Sequence, residues 1–247
     1  MRKSVMASLL LLSTSGLYAG TLGDSSLNKV NSIYMQINAS LDWIRMNDNQ
    51  DLVLLAPFHN TYTGSQDYKL SGGLGLGLGL ERAATDLLFW QLGVAAHFNT
   101  SVQAQGMVWQ FGLPEFENFS YRYQVQSSRL VAEGKLLGTY QQKFHPYISG
   151  ELGAGFNRSS TYREISLIES QLPIAPFRNN THASFSWGVG LGVDVDLRSN
   201  LRLGAGYQFS DLGKAQLGLS PAQETGETLS IAHLYDNQLR IQLTALI

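Results

Sequence analysis

The sequence predicts an all-β fold, an eight-stranded antiparallel up-and-down transmembrane β-barrel. Three observations predict it. Large apolar residues alternate with small or polar ones over eight segments, which is the period of a strand. The gaps between the segments alternate long and short. Glycine and charge gather on the face opposite the apolar one.

Residues 1–19 read as a secretory signal peptide. Arg2 and Lys3 form a basic start, Val5 to Leu12 an apolar run, and Ser13 to Ala19 a small-residue region ready for cleavage after Ala19. The apolar run is shorter than the ~20 residues a spanning helix needs. Residues 20–247 then form one domain.

The first strand segment, 32–45, sets Ile33, Met35, Ile37, Leu41 and Trp43 against Tyr34, Gln36, Asn38, Ser40 and Asp42. In 68–81, leucines at 70, 74, 76, 78 and 80 oppose glycines at 73, 75, 77 and 79. Segment 87–99 opposes Leu92, Val94 and Phe98 to Gln91, Gly93 and His97. Segment 120–138 carries Tyr121, Tyr123 and Val125 at odd positions but Leu130, Ala132 and Leu136 at even ones, which predicts a one-residue slip, a β-bulge, between Val125 and Leu130. Segments 146–157, 182–196, 200–209 and 236–247 return to plain alternation.

The gaps at 82–86, 139–145 and 197–199 are short, and those at 46–67, 100–119, 158–181 and 210–235 are long. Short periplasmic turns, long extracellular loops and both termini at the turn end match a bilayer-spanning barrel. Trp43, Phe98, Phe156, Trp187, Tyr207 and Phe209 fall near the loop ends, with Trp90 and Tyr147 near the turn ends, as two aromatic girdles. A soluble lipocalin-type barrel would turn its apolar face inward around a ligand. The large residues here are too continuous for a solvated exterior, and glycine suits the tight interior of a small barrel.

Composition narrows the function. The 247 residues include 25 Gly and no Cys, and 15% are charged. Absent cysteines exclude disulfides, thiolate metal sites and a cysteine nucleophile. A net charge of −2 from 17 basic and 19 acidic residues argues against nucleic-acid binding through a basic surface.

The stretches SRLVAEGKLLG with FHPYISGELGAGF, and WGVGLGVDVDLRSNLRLGAGYQFSDLG at 187–213, resemble the small OmpA-like or opacity-type outer-membrane β-barrel proteins of Gram-negative bacteria. The resemblance covers roughly 30–247. The final NQLRIQLTALI is similar to the strand read by the barrel-assembly machinery, although it ends in Ile247 where the family usually ends in Phe or Trp. The resemblance implies an integral outer-membrane protein with surface loops; no second, peptidoglycan-binding domain is expected after the last strand. The implied partners are outer-membrane lipids, lipopolysaccharide, the assembly machinery during insertion, and a host or matrix surface ligand.

Inward positions hold Lys69, Arg129, Lys135, Arg202 and Arg240 against Asp42, Glu81, Glu133, Glu151, Asp194 and Asp196. An eight-stranded lumen has room only for side chains, so these charges are expected to pair as a plug. The competing reading is a narrow gated channel switched by Arg129, Glu133, Lys135 and Glu151.

In the loops, Ala56-Pro57-Phe58-His59-Asn60 and Ala175-Pro176-Phe177-Arg178-Asn179 repeat one pattern and suggest a duplicated four-strand unit. Pro57, Phe58, Trp109, Phe111, Pro176 and Phe177 are the expected contact residues, through packing between loops or with a partner.

No catalytic, cofactor or metal set is expected. Gly75, Gly77 and Gly79 alternate along a strand with no helix after them, so they are not a nucleotide loop. Asp194 and Asp196 suit buried pairing better than a metal. His182 and Ser184 have the spacing of a base and nucleophile on one strand, as in lipid A deacylases, but parity turns them inward without a carboxylate partner.

Overall fold

A computed structural model describes residues 31–46, 49–169, 171, 173, 177–221 and 223–247. The expected signal peptide lies outside these residues. Thirteen strands follow in chain order: β1 Asn31–Met46, β2 Gln50–Leu55, β3 Phe58–Gly64, β4 Tyr68–Thr85, β5 Leu88–Asn99, β6 Val102–Gln110, β7 Glu117–Gly138, β8 Phe144–Ser166, β9 Asn180–Arg198, β10 Leu201–Asp211, β11 Ala215–Gln216, β12 Ser230–Ile231 and β13 Leu234–Leu246. The described residues hold one 3₁₀ turn, Pro114–Phe116, and no α-helix.

Eight strands close a ring, β1-β4-β5-β7-β8-β9-β10-β13, with every pairing antiparallel. β13 returns to β1 from Tyr34↔Leu246 to Met46↔Leu234, so no edge is left open in the wall. Ile33, Met35, Ile37, Leu74, Leu76, Leu78, Val189, Leu191 and Ile241 stay more than half exposed on the outside. Each such side chain forgoes about 1.5–3 kcal/mol of burial in water. A belt of them around a closed barrel therefore calls for an apolar surrounding.

Two of the expected long loops, 46–67 and 100–119, are largely strand. β6 continues β5 against the same partner, from Phe98↔Ser128 to Val102↔Val125, with one extra residue on the β5–β6 arm. The segment read as loop 100–119 is thus the upper arm of a hairpin. β2 and β3 form a second hairpin that joins β6 through Thr61↔Trp109 and Gly64↔Gly106.

The slip expected inside β7 is absent. Odd positions from Phe119 to Leu137 are all buried. What changes is the chemistry of the two faces. Below Ser127, β7 turns Arg129, Glu133 and Lys135 inward and Leu130 and Leu136 outward. Above it, Tyr121, Tyr123 and Val125 point inward, and Arg122, Gln124 and Gln126 point outward. β1 reverses at the same level, where inward Asp42 is followed by inward Ile44 and Met46. The lower barrel is polar inside and greasy outside; the upper part is built like a water-soluble protein.

That upper part has its own core. Leu52, Leu54 and Tyr62 of the β2–β3 hairpin pack with Val108, Phe119, Phe177, Leu212, Leu217, Ile231 and Leu234. The Gln50 side chain donates to the Thr228 carbonyl at 3.1 Å and accepts from the Ser230 amide at 2.9 Å, tying the first loop to the last. The described loop segments form one cap over the lumen.

Glycine lets the lower barrel close tightly at two places. Tyr34 on β1 lies across Gly79 and Gly93, which face each other on β4 and β5. A Cβ on Gly79 would stand 2.7 Å from the Tyr34 ring. Tyr147 on β8 lies across Gly192 and Gly206 in the same way, and a Cβ on Gly192 would stand 2.6 Å from its hydroxyl.

Candidate functional site

The inward face of the lower barrel is a ladder of paired charge. Arg129 on β7 bonds Glu151 on β8, and their side chains are 0% and 3% exposed. His97 on β5 lies 3.5 Å from the other oxygen of Glu151. Lys135 stands 3.6 Å from Asp194 and 4.3 Å from the Tyr147 ring. Toward the turn end, Arg202 reaches Glu81 at 2.5 Å and Asp196 at 2.9 Å. Asp194 and Asp196 therefore each meet a cation.

Three expected network members differ. Lys69 sits at the outer rim, 3.9 Å from exposed Asp67 rather than within the plug. Arg240 donates to the Gln238 side-chain oxygen Oε1 at 2.9 Å and forms no ion pair among the described residues. Glu133 faces Glu151 directly across β7 and β8, and its Oε1 is buried without a hydrogen-bond partner. His97, Glu133 and Glu151 each bring one atom within 4.8 Å of the others. Arg129 already occupies Glu151, so a guanidinium supplies positive charge where a metal ion would.

Further polar groups complete the lumen. Asn99 donates to Asp42 at 2.8 Å and to Asp236 at 3.4 Å. His145 joins Thr139 at 3.2 Å and Asp196 at 3.0 Å. Asp236 opens the segment read as the last strand, and the inward parity it shares with Gln238 and Arg240 was its signal. Tyr147, expected in the turn-end girdle, is buried inside the barrel. Its odd parity beside outward Ile148 was the signal.

The lumen is closed above by the cap core, where Leu212, Leu217 and Leu234 are fully buried. Asn157 marks the junction: it donates to the carbonyls of Leu212 and Lys214 at 2.8 and 2.9 Å and accepts from Ser127 at 2.7 Å. One step below it, opposite Gly155, Ser184 points to the Lys214 carbonyl at 3.5 Å and makes no bond with His182 among the described residues.

The expected loop contacts divide. Phe58, 58% exposed, meets the exposed Phe111 edge-on at 5.5 Å, and Phe111 meets Phe116 at 6.0 Å. Pro57 lies exposed beside them at the hairpin tip. Trp109 is half-buried and donates to Glu117 at 3.0 Å. Phe177, only 5% exposed, packs against Tyr62 and Tyr162 in the cap core. Pro176 lies outside the described residues. The two Ala-Pro-Phe motifs therefore play different parts, one at a surface tip and one in a core.

Burial holds the Tyr62 and Tyr162 hydroxyls well above their ordinary ionisation near pH 10, and the charge of Glu164 adds to the effect. Both rings belong to the cap rather than to the greasy belt.

No family model matches the chain, and no curated protein matches it by sequence. Solved structures resemble it at low identity. Neisserial surface protein A shares 12% identity with a TM-score of 0.42, covering 86% of this chain and 96% of that one. The outer membrane protein OprG from Pseudomonas aeruginosa shares 16% with a TM-score of 0.42, covering 87% and 95%. The outer membrane protease OmpT from Escherichia coli shares 7% with a TM-score of 0.42, covering 88% and 96%. The closed ring itself, rather than these likenesses, carries the assignment of the fold.

Proposed function

We propose that this chain is an integral outer-membrane β-barrel protein of a Gram-negative bacterium, with a structural role and a surface-contact role of the adhesion or opacity kind. The supporting observation is the reversal of polarity along β7 and β1. Below the reversal the wall suits lipid, and above it the wall suits water. A chain with both zones is embedded in a membrane and stands out from it.

The contact surface is the tip of the cap. Phe58, Phe111 and Phe116 leave large apolar rings in water at the hairpin tips, where such patches serve recognition. The paired charges and the core above them support a filled, non-conducting lumen over the gated channel. The reading is non-enzymatic. Outer-membrane lipids surround the belt, and the assembly machinery is the partner during insertion.

The test has two arms. Purified protein in planar bilayers is expected to show no conductance steps. Cells displaying Phe58→Ser with Phe111→Ser are expected to be retained several-fold less on an epithelial monolayer than cells displaying the parent. Steady conductance overturns the plug, and equal retention overturns the tip as the contact surface.

A further inference from the structure

Arg122 on β7 and Arg163 on β8 stand directly opposite each other, both exposed on the outer face of the wall. Like charges in such a pair are destabilising unless something between them is negative. Neither guanidinium has an ion-pair or hydrogen-bond partner among the described residues. Their outward neighbours on β6 and β7 are Gln103, Gln105 and Gln124, which are neutral donors. Among the described residues, no carboxylate is an outward neighbour of the pair on β6, β7 or β8; Glu164, next to Arg163 in sequence, lies opposite inward Tyr121.

The backbone shapes the place. The pairing shifts by one residue between Arg122 and Gln124, and Thr161 bulges out of β8 with a φ of 54°. The bulge opens a recess on the outer surface lined by Gln103, Arg122, Gln124, Thr161 and Arg163. A third arginine, Arg158, lies lower on the same face.

Height decides what meets these groups. Phe156 is the last lipid-belt residue of β8, and Arg158 is its next outward neighbour. At ~3.3 Å per residue, Arg158 stands about 7 Å farther along the strand. Arg122 lies six residues above Ser128, the partner of belt residue Phe98. With the strand tilted ~45°, that places the arginine pair roughly 14 Å above the belt edge. Both levels fall where a glycolipid carries its headgroup.

We propose that Arg122 and Arg163, with Arg158 below them, bind the phosphate groups of lipopolysaccharide packed around the barrel. The paired guanidiniums offer forked donors that match phosphate oxygens, the glutamines offer donors to sugar hydroxyls, and the acyl chains continue down the apolar belt. The assignment rests on the reading of the belt as membrane-embedded.

The test uses full-length protein refolded into phosphatidylcholine nanodiscs. Flotation of the parent protein with phosphatidylcholine vesicles checks the membrane reading separately. Purified lipopolysaccharide is titrated against the parent and against Arg122→Gln/Arg163→Gln, and retention is read by native mass spectrometry. The double variant is expected to bind about tenfold more weakly, Arg158→Gln is expected to lose less, and dephosphorylated lipopolysaccharide is expected to lose the difference between parent and variant. Equal binding by parent and double variant overturns the site. Full competition by inorganic phosphate, or equal retention of phosphatidylglycerol, overturns lipopolysaccharide as its ligand.

Discussion

Tyr34 and Tyr147 occupy the same position in the two halves of the barrel, each lying across a pair of glycines on the next two strands. One sequence offset carries Tyr34 to Tyr147, Gly79 to Gly192 and Gly93 to Gly206. A Cβ at either Gly79 or Gly192 meets backbone as well as the tyrosine, so it has no way to relax cheaply. Gly79→Val and Gly192→Val should each cost about 1–3 kcal/mol, read as a lower urea midpoint in micelles. Tyr34→Ala should recover part of the loss in the Gly79 variant alone; recovery in both would break the assignment of partners.

The Arg129–Glu151 pair is buried, so removing one partner strands a charge. Arg129→Ala should lower stability by about 3–5 kcal/mol, and Arg129→Ala/Glu151→Leu should lower it less. Unfolding curves for the single and double variants decide the matter. A double variant worse than the single one would falsify the pairing as the source of the cost.

Leu212 is fully buried in the cap rather than in the lumen plug. Leu212→Ala should cost about 2–5 kcal/mol, confined to the cap. Hydrogen exchange should quicken across residues 50–64 and 215–231 while β1 and β13 stay protected. Uniform quickening around the ring would show that cap and barrel unfold as one unit.

Tyr62 and Tyr162 give the cap a pH dependence with a definite sign. Their ionisation is raised in the folded cap, so the unfolded cap loses these protons first as pH rises. The stabilisation from keeping them neutral is complete below about pH 10 and declines above it. Protease susceptibility of the cap loops should therefore rise in alkali, and Tyr62→Phe should flatten that rise. An unchanged alkaline profile in the variant would remove Tyr62 from the account.

The strands of the ring and the direction of their faces were legible in the sequence, because period-2 alternation is a local signal. Tyr121, Tyr123 and Val125 show where that signal misleads. Their parity is continuous with Arg129 and Glu133, but their chemistry is opposite, and alternation alone cannot say which solvent a face meets. Phe58 and Phe177 show a second limit. Both follow Ala-Pro, yet burial depends on long-range packing that a five-residue motif does not contain. The ion pairs were expected in kind, but their partners follow from strand stagger, which brings Lys135 to Asp194 and leaves Glu133 facing Glu151.

The reversal along β7 also bears on how firmly the molecule stays in place. To slide inward, the strand would have to draw Arg122 through hydrocarbon, at about 2.5–3.5 kcal/mol at the bilayer centre, and the same holds for Arg163 on β8. It would also have to dismantle the core around Phe119 and Leu212. To slide outward, it would bring the belt leucines into water. In the membrane setting proposed above, the chain would be held like a rivet, with a water-suited head standing on a lipid-suited shank.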